Sequence, residues 1–234
     1  GDTAFGLLGD ADGGATRGII TNIVQSSTAN SEVVIFNPGN AKATVSLTGS
    51  YVRETLPNFT RSLDVAPRSQ LVLNGATLGL ITGQSAGLTW RSNLPVIVNS
   101  NETQNGDADS TQPTTSVATQ YYFGDAYIQP SGAGKQYFET IFLANPTAAA
   151  VNVNVRLVFF DQTVVNFTQT VRANGFAEVR LHERPEVLAA ATPFFAVDLS
   201  ASQPFAANMV HYDLFFGGGW ATSGVPFGIT NSLA

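Results

Sequence analysis

The sequence predicts an all-β protein built from two tandem β-sandwich domains, Ig-like or jelly-roll-like, related by an internal duplication. Three observations predict it. Short apolar or alternating runs are separated by turn signals about every ten residues, the spacing of sandwiches and barrels. A set of landmarks recurs in one order at a nearly constant offset, the mark of a repeat. Hydrophobic residues make up 44% and charged residues 12% of the 234 residues, the reverse of the balance that keeps a chain disordered.

The landmarks define the elements. Phe36-Asn37-Pro38-Gly39 matches Ala144-Asn145-Pro146-Thr147, Asn58-Phe59-Thr60 matches Asn166-Phe167-Thr168, and Leu71-Val72-Leu73 matches Val179-Arg180-Leu181, each at an offset of 108. Asn93-Leu94-Pro95 then matches Ser202-Gln203-Pro204 at 109. Val33–Phe36 and Thr140–Leu143 are short apolar strands running into Asn-Pro. Proline fixes φ and the preceding Asn bonds its own backbone, so these are tight reversals. Val151–Leu157 alternates apolar and polar residues, the period of a half-buried strand. Pro67 and Gly175 punctuate the next turn, and Glu183–Ala191 is the one stretch that reads as helix. Phe5-Gly6, Phe123-Gly124 and Phe227-Gly228 bracket the copies and read as edge or closing strands. The expected organisation is a Gly-rich N-terminal segment over 1–18, offered as an exchanged strand, repeat one over 19–126 and repeat two over 127–234.

Composition excludes several functions. The net charge is −6 and the only lysines are Lys42 and Lys135, so no basic stripe exists to displace counterions from a nucleic acid or to bind an anionic membrane. Without cysteine there are no disulfides, thiolate nucleophiles or Cys-based zinc sites. No apolar run reaches the roughly 18 residues that span a bilayer, the longest, near Val187–Val197, being broken by Pro193. Low charge with abundant Thr, Asn, Ser and Gly suits a secreted or cell-surface protein. The start at Gly1-Asp2 reads as a mature or trimmed form.

The second copy resembles repeats common in secreted and surface bacterial proteins and is similar to the bacterial sensory rhodopsin transducer family. The residues that carry this are Tyr122-Phe123-Gly124, the strand Phe138 to Pro146, the Val171-Arg172-Ala173-Asn174 turn, Phe194–Ser200 and the strand from Gln203-Pro204-Phe205. The likeness covers about 110 residues, and copy one more faintly. It implies a β-sandwich and a tendency to associate, and it says little about a ligand.

No catalytic constellation emerges. His182 and His211 lack a Gly-x-Ser-x-Gly elbow or a His-Glu-x-x-His spacing and read as surface or satisfied strand histidines. Glu139, Asp161, Glu178, Glu183, Glu186, Asp198 and Asp213 are scattered, so no pair is singled out for acid–base work on a glycan. Gly9-Asp10-Ala11-Asp12 and Gly106-Asp107-Ala108-Asp109 place two carboxylates at i and i+2. That is compatible with Ca²⁺, but the rest of a calcium loop is absent and a polar turn is the competing reading. Asn58, Asn101 and Asn166 head Asn-x-Thr sequons, two of them at matching repeat positions. No catalytic, cofactor or metal residue is assigned.

The function expected is a non-catalytic structural or adhesive protein that self-associates through strand or edge contacts, with Phe5, Leu7 and Leu8 as assembly contacts. The alternative is a carbohydrate-binding module, for which Trp90 and Trp220 are the stacking aromatics, with Tyr121 and Tyr122 beside them.

Overall fold

Two strands far longer than the usual five or six residues organise the chain. The structure, a computed structural model, describes residues 13–104, 107–111, 113–128, 137–213 and 218–232, without the side chains of 107 and 228–232. It divides into two compact units, one ending at Ser116 and the other running from Val117 to Ser232. The first holds β1 (Ala15–Ile23), β2 (Ala29–Asn37), β3 (Ala43–Tyr51), β4 (Phe59–Val65), β5 (Ser69–Asn74), the short helix α1 (Gly75–Leu78), β6 (Ala86–Gln104) and β7 (Asp107–Thr111). The second holds β8 (Ser116–Tyr127), β9 (Tyr137–Asn145), β10 (Val151–Phe159), β11 (Val164–Val171), β12 (Gly175–Arg180), a 3-10 turn (Leu181–Glu183), α2 (Pro185–Leu188), β13 (Phe194–Asp213), β14 (Gly218–Ser223) and β15 (Val225–Ser232).

The 19-residue β6 and the 20-residue β13 each serve both layers of a sandwich. The first half of β6 pairs with β1 and β3, its second half with β2 and β7, while β4 extends β3 and β5 extends β2. The first half of β13 likewise pairs with β8 and β10 and its second half with β9 and β14, with β11 and β12 outside. β15 pairs with β8 and makes the second sheet system eight-stranded where the first has seven. The handovers fall at Asn93-Leu94-Pro95 and Ser202-Gln203-Pro204. Proline donates no backbone hydrogen bond, so it is accommodated where the ladder changes partner and not inside it. An all-β architecture of two sandwiches is thus present.

Alternation builds the cores. In β10, Val151, Val153, Val155, Leu157 and Phe159 point inward between exposed Asn152, Asn154 and Arg156. Val45, Leu47 and Tyr51 of β3 do the same in the first unit against Val33, Ile35, Leu88 and Trp90. Each sandwich is pinned by one buried asparagine at the end of a strand. Asn37 Nδ2 donates to the carbonyls of Ala41, Val65 and Ala66 at 2.8, 3.0 and 3.2 Å, and Oδ1 accepts the Gly39 N–H at 3.0 Å. Asn145 repeats this with Ala149, Val171, Arg172 and Thr147. The Asn-Pro turns expected from the sequence are therefore also clamps, tying one reversal to the next.

Strand register revises the sequence alignment of the copies. Ile35 pairs with Leu71 and Leu143 with Ala177, so Leu71 corresponds to Ala177 and not to Val179. Thr48 faces Thr60 and Arg156 faces Asn166, so Thr60, not Asn58, corresponds to Asn166. The offset is 108 through β3 and β10, falls to 106 after the shorter β10–β11 hairpin, and returns to 109 in β6 and β13, where Val33 and Ile141 face Ser100 and Met209. The division between units also precedes the 126/127 boundary read from the sequence, because β8 hydrogen-bonds to β13. Ala15 to Gly18, assigned above to the N-terminal segment, belong to β1. α1 was not expected from the sequence. Asn74 caps it by accepting the Thr77 N–H at 2.9 Å, and Gly79 closes it at φ 79°, a left-handed conformation natural to glycine.

Candidate functional site

Two places stand out: the outer strand of the second sheet system and the end of the second sandwich where β9 begins and β13 ends. At the first, Val225 is 66% and Phe227 62% exposed. β15 ends its sheet among the described residues, and the Phe227 ring meets Tyr122 of β8 at 6.1 Å, edge to face. Phe227-Gly228 thus lies in an edge strand, whereas Phe123-Gly124 lies in β8, between β13 and β15. Phe5, Leu7 and Leu8 fall outside the described residues, as do Asp10 and Asp12.

At the second place the inward face of β9 turns polar. Leu143 and Ile141 are core, and the next inward residue toward the strand's start is Glu139, with no exposure. On β13 the same face runs Ala207, Met209, His211, and His211 sits directly opposite Glu139 in register. His211 Nδ1 lies 2.5 Å from Glu139 Oε2. Trp220 of β14 faces His211 on the other side and stacks on it, with ring centres 5.6 Å apart and planes 10° apart. His182, in the 3-10 turn, places Nδ1 3.2 Å from the Glu139 backbone nitrogen and 3.0 Å from its carbonyl oxygen, and its ring meets Phe138 edge-on. Both histidines of the chain converge on Glu139, and both are buried; the surface reading of these residues is corrected.

Burial pushes the Glu139 carboxyl up to about 7, because an ion without solvent is costly. The hydrogen bond and charge of His211 pull the other way, the Tyr127 backbone N–H adds a weaker pull, and Asp125 adds repulsion. Glu139 Oε1 makes no hydrogen bond of good geometry. The 2.5 Å contact between Glu139 and His211 is a hydrogen bond across the β9–β13 ladder.

The remaining sequence candidates disperse. Trp90 is 2% exposed and belongs to the first core, its indole lying against Gly18, where an added Cβ would come 2.7 Å from Nε1. It cannot stack on a ligand, and that assignment is withdrawn. Trp220 is partly buried with one face on His211, and Tyr121 is buried, donating to the Phe205 carbonyl at 2.8 Å and accepting the Ala118 N–H at 3.0 Å. Asp109 is buried and faces Glu102 across β6 and β7. No group of three or more His, Asp or Glu that could hold a metal occurs among the described residues. The sequons are not equivalent. Asn58 accepts the Ser50 hydroxyl beside the β3–β4 loop, Asn101 accepts the Ser110 hydroxyl, and Asn166 is exposed in mid-strand. No helix among the described residues is long and apolar enough to cross a membrane.

No protein-family model matches the chain, and no curated protein does. Among solved structures it is similar to the Thermotoga maritima 1070 protein, at 16% identity and a TM-score of 0.40 over 47% of this chain and 95% of that one. It is also similar to the Anabaena sensory rhodopsin transducer, at 22% identity and a TM-score of 0.34 over 38% of this chain and 93% of that one.

Proposed function

We propose that this chain is a non-catalytic protein of the cell surface or secreted space that associates with copies of itself, and that β15 is the strand through which they meet. The observation that carries the reading is the outward exposure of Val225 and Phe227 on a strand that ends its sheet among the described residues. Soluble proteins usually blunt such an edge with lysine, a bulge or a covering loop. β15 reads Val-Pro-Phe-Gly-Ile-Thr-Asn-Ser, with no charge and only Pro226 to interrupt pairing. A second copy laying the same strand alongside would extend the sheet by backbone pairing and bury both side chains with Tyr122. Phe5, Leu7 and Leu8 are the second element of the proposal, as a strand one copy could lend another.

Sedimentation velocity and electron microscopy test this on the wild type, on Val225→Lys/Phe227→Lys and on a chain lacking residues 1–12. The expected result is a concentration-dependent assembly that the double substitution abolishes while the melting curve stays unchanged. Loss on truncation alone would move the contact to the N-terminal segment. A wild type that stays monomeric at every concentration, or a double variant that assembles normally, overturns the proposal for β15.

A further inference from the structure

The first sandwich carries different residues where Glu139 and His211 stand. The register positions that correspond to Glu139, His211 and Trp220 hold Ser31, Glu102 and Asp109. There the Ser31 hydroxyl and the Asn22 amide both donate to Glu102 Oε2, at 3.2 and 2.7 Å. Both sandwiches therefore bury polar groups near the ends of their two long strands, and the second joins an acid to a base there.

We propose that the Glu139 proton, held in the hydrogen bond to His211, latches the start of β9 to the end of β13, and that its loss to solvent loosens the pairing of β13 with β14 and releases Trp220 from His211. With the proton present, the pair joins β9 to β13 by a short hydrogen bond, and His211 offers Trp220 a fixed ring to stack on. When the proton leaves, the Glu139 carboxylate holds its charge in a site where the residue has no exposure and Oε1 lacks a well-formed hydrogen bond. Water must then enter or the strand ends must part.

The charged and titratable neighbours favour the second outcome. Asp125 of β8 repels the carboxylate. Tyr137 of β9, whose ring lies 6.1 Å from that of His211, feels Asp213 of β13 and Tyr127 of β8. In the 3-10 turn, His182 sits on the Glu139 backbone, with Glu183 3.9 Å from its Nε2. Two of these groups, Asp125 and Asp213, are further carboxylates, and no Lys or Arg pairs with Glu139 among the described ion pairs. The sign follows from linkage. A carboxyl that holds its proton more tightly when folded contributes stability that is complete below the ordinary carboxylate range and is lost as pH rises through about 7. The latch therefore opens on the alkaline side.

Amide exchange followed by NMR, corrected for the intrinsic effect of pH, provides the test, with the first sandwich as an internal control. Between about pH 6 and about pH 9, protection at Asn208–Asp213 and Gly218–Ser223 should fall roughly tenfold or more. The indole N–H of Trp220 should shift with the same midpoint while that of Trp90 stays still. Glu139→Gln keeps a hydrogen-bonding group without titrating, so it should remove the pH dependence. If that variant does not fold, the wild-type His211 ring signals decide: a midpoint shared with Trp220 upholds the latch, and separate midpoints overturn it. Equal loss of protection in both sandwiches, no loss in the second, or an undiminished pH response in Glu139→Gln also overturns it.

Discussion

Replacing Asn37 by alanine should cost the first sandwich about 2–4 kcal/mol. The amide has two hydrogens and reaches three carbonyls, so one hydrogen is shared, and Oδ1 accepts a fourth contact from Gly39. Ala41 and Ala66 are exposed, so their carbonyls can turn to water, but Val65 is buried and loses its partner outright. An abandoned buried acceptor costs about 1–3 kcal/mol, and the remaining contacts, whose partners turn to water, together add about 1 kcal/mol, which gives the stated range. At about 1.4 kcal/mol per decade, the slowest amides of β2, β3 and β6 should exchange about 30- to 700-fold faster. Hydrogen exchange read by mass spectrometry is the assay, because it reports each sandwich separately. Asn145→Ala should do the same to β9, β10 and β13. Asn37→Asp is the discriminating control: it preserves the acceptor for Gly39 but sets a carboxylate against three carbonyl oxygens, so at neutral pH it should be worse than alanine. A loss below about 1 kcal/mol in Asn37→Ala, or an aspartate variant milder than the alanine one, would refute the clamp.

Two further substitutions probe the cores. Gly18→Ala places a methyl 2.7 Å from Trp90 Nε1, so the indole must move. The expected cost is about 1–3 kcal/mol, with a shift in the Trp90 fluorescence maximum that Thr16→Ala, at an exposed position on the same strand, does not produce. Tyr121→Phe removes a hydroxyl that bonds both Phe205 and Ala118. Burial has already pushed that phenol up to about 12, so it stays neutral at ordinary pH. The variant should lose about 1–3 kcal/mol in urea unfolding, with no change in that difference between about pH 6 and about pH 9.

The strand content was legible because alternation is a local signal. Val151 to Leu157 announces its buried face in the order of its residues, and β10 buries those valines. The same signal was available for Trp90, which shares its parity with Leu88 against Thr89 and Arg91, and so belonged to the core from the outset. Parity also marks Glu139 with Ile141 and Leu143, and His211 with Met209 and Ala207. A carboxylate and an imidazole on apolar faces are each unusual. Their pairing is invisible in sequence, however, because 72 residues separate them and only the β9–β13 register brings them together. The repeat was legible in order but not in register. Asn-Phe-Thr occurs in both copies and invites an alignment that the shorter β10–β11 hairpin shifts by two residues. Asn74 and Gly79 form a cap pair around α1, but four residues between them make no hydrophobic period to mark a helix.

β6 and β13 have a mechanical consequence. Because one continuous strand belongs to both layers of its sandwich, the layers cannot slide past each other without bending that strand, and neither can detach and leave the other intact. A break in the chain between β3 and β4 would leave both fragments with complementary edges to rejoin. A break at Leu94-Pro95, or at Gln203-Pro204, would sever the one covalent link the layers share in mid-strand. The two proline corners are therefore the positions at which each sandwich tolerates interruption least, although neither lies in the interior of a ladder.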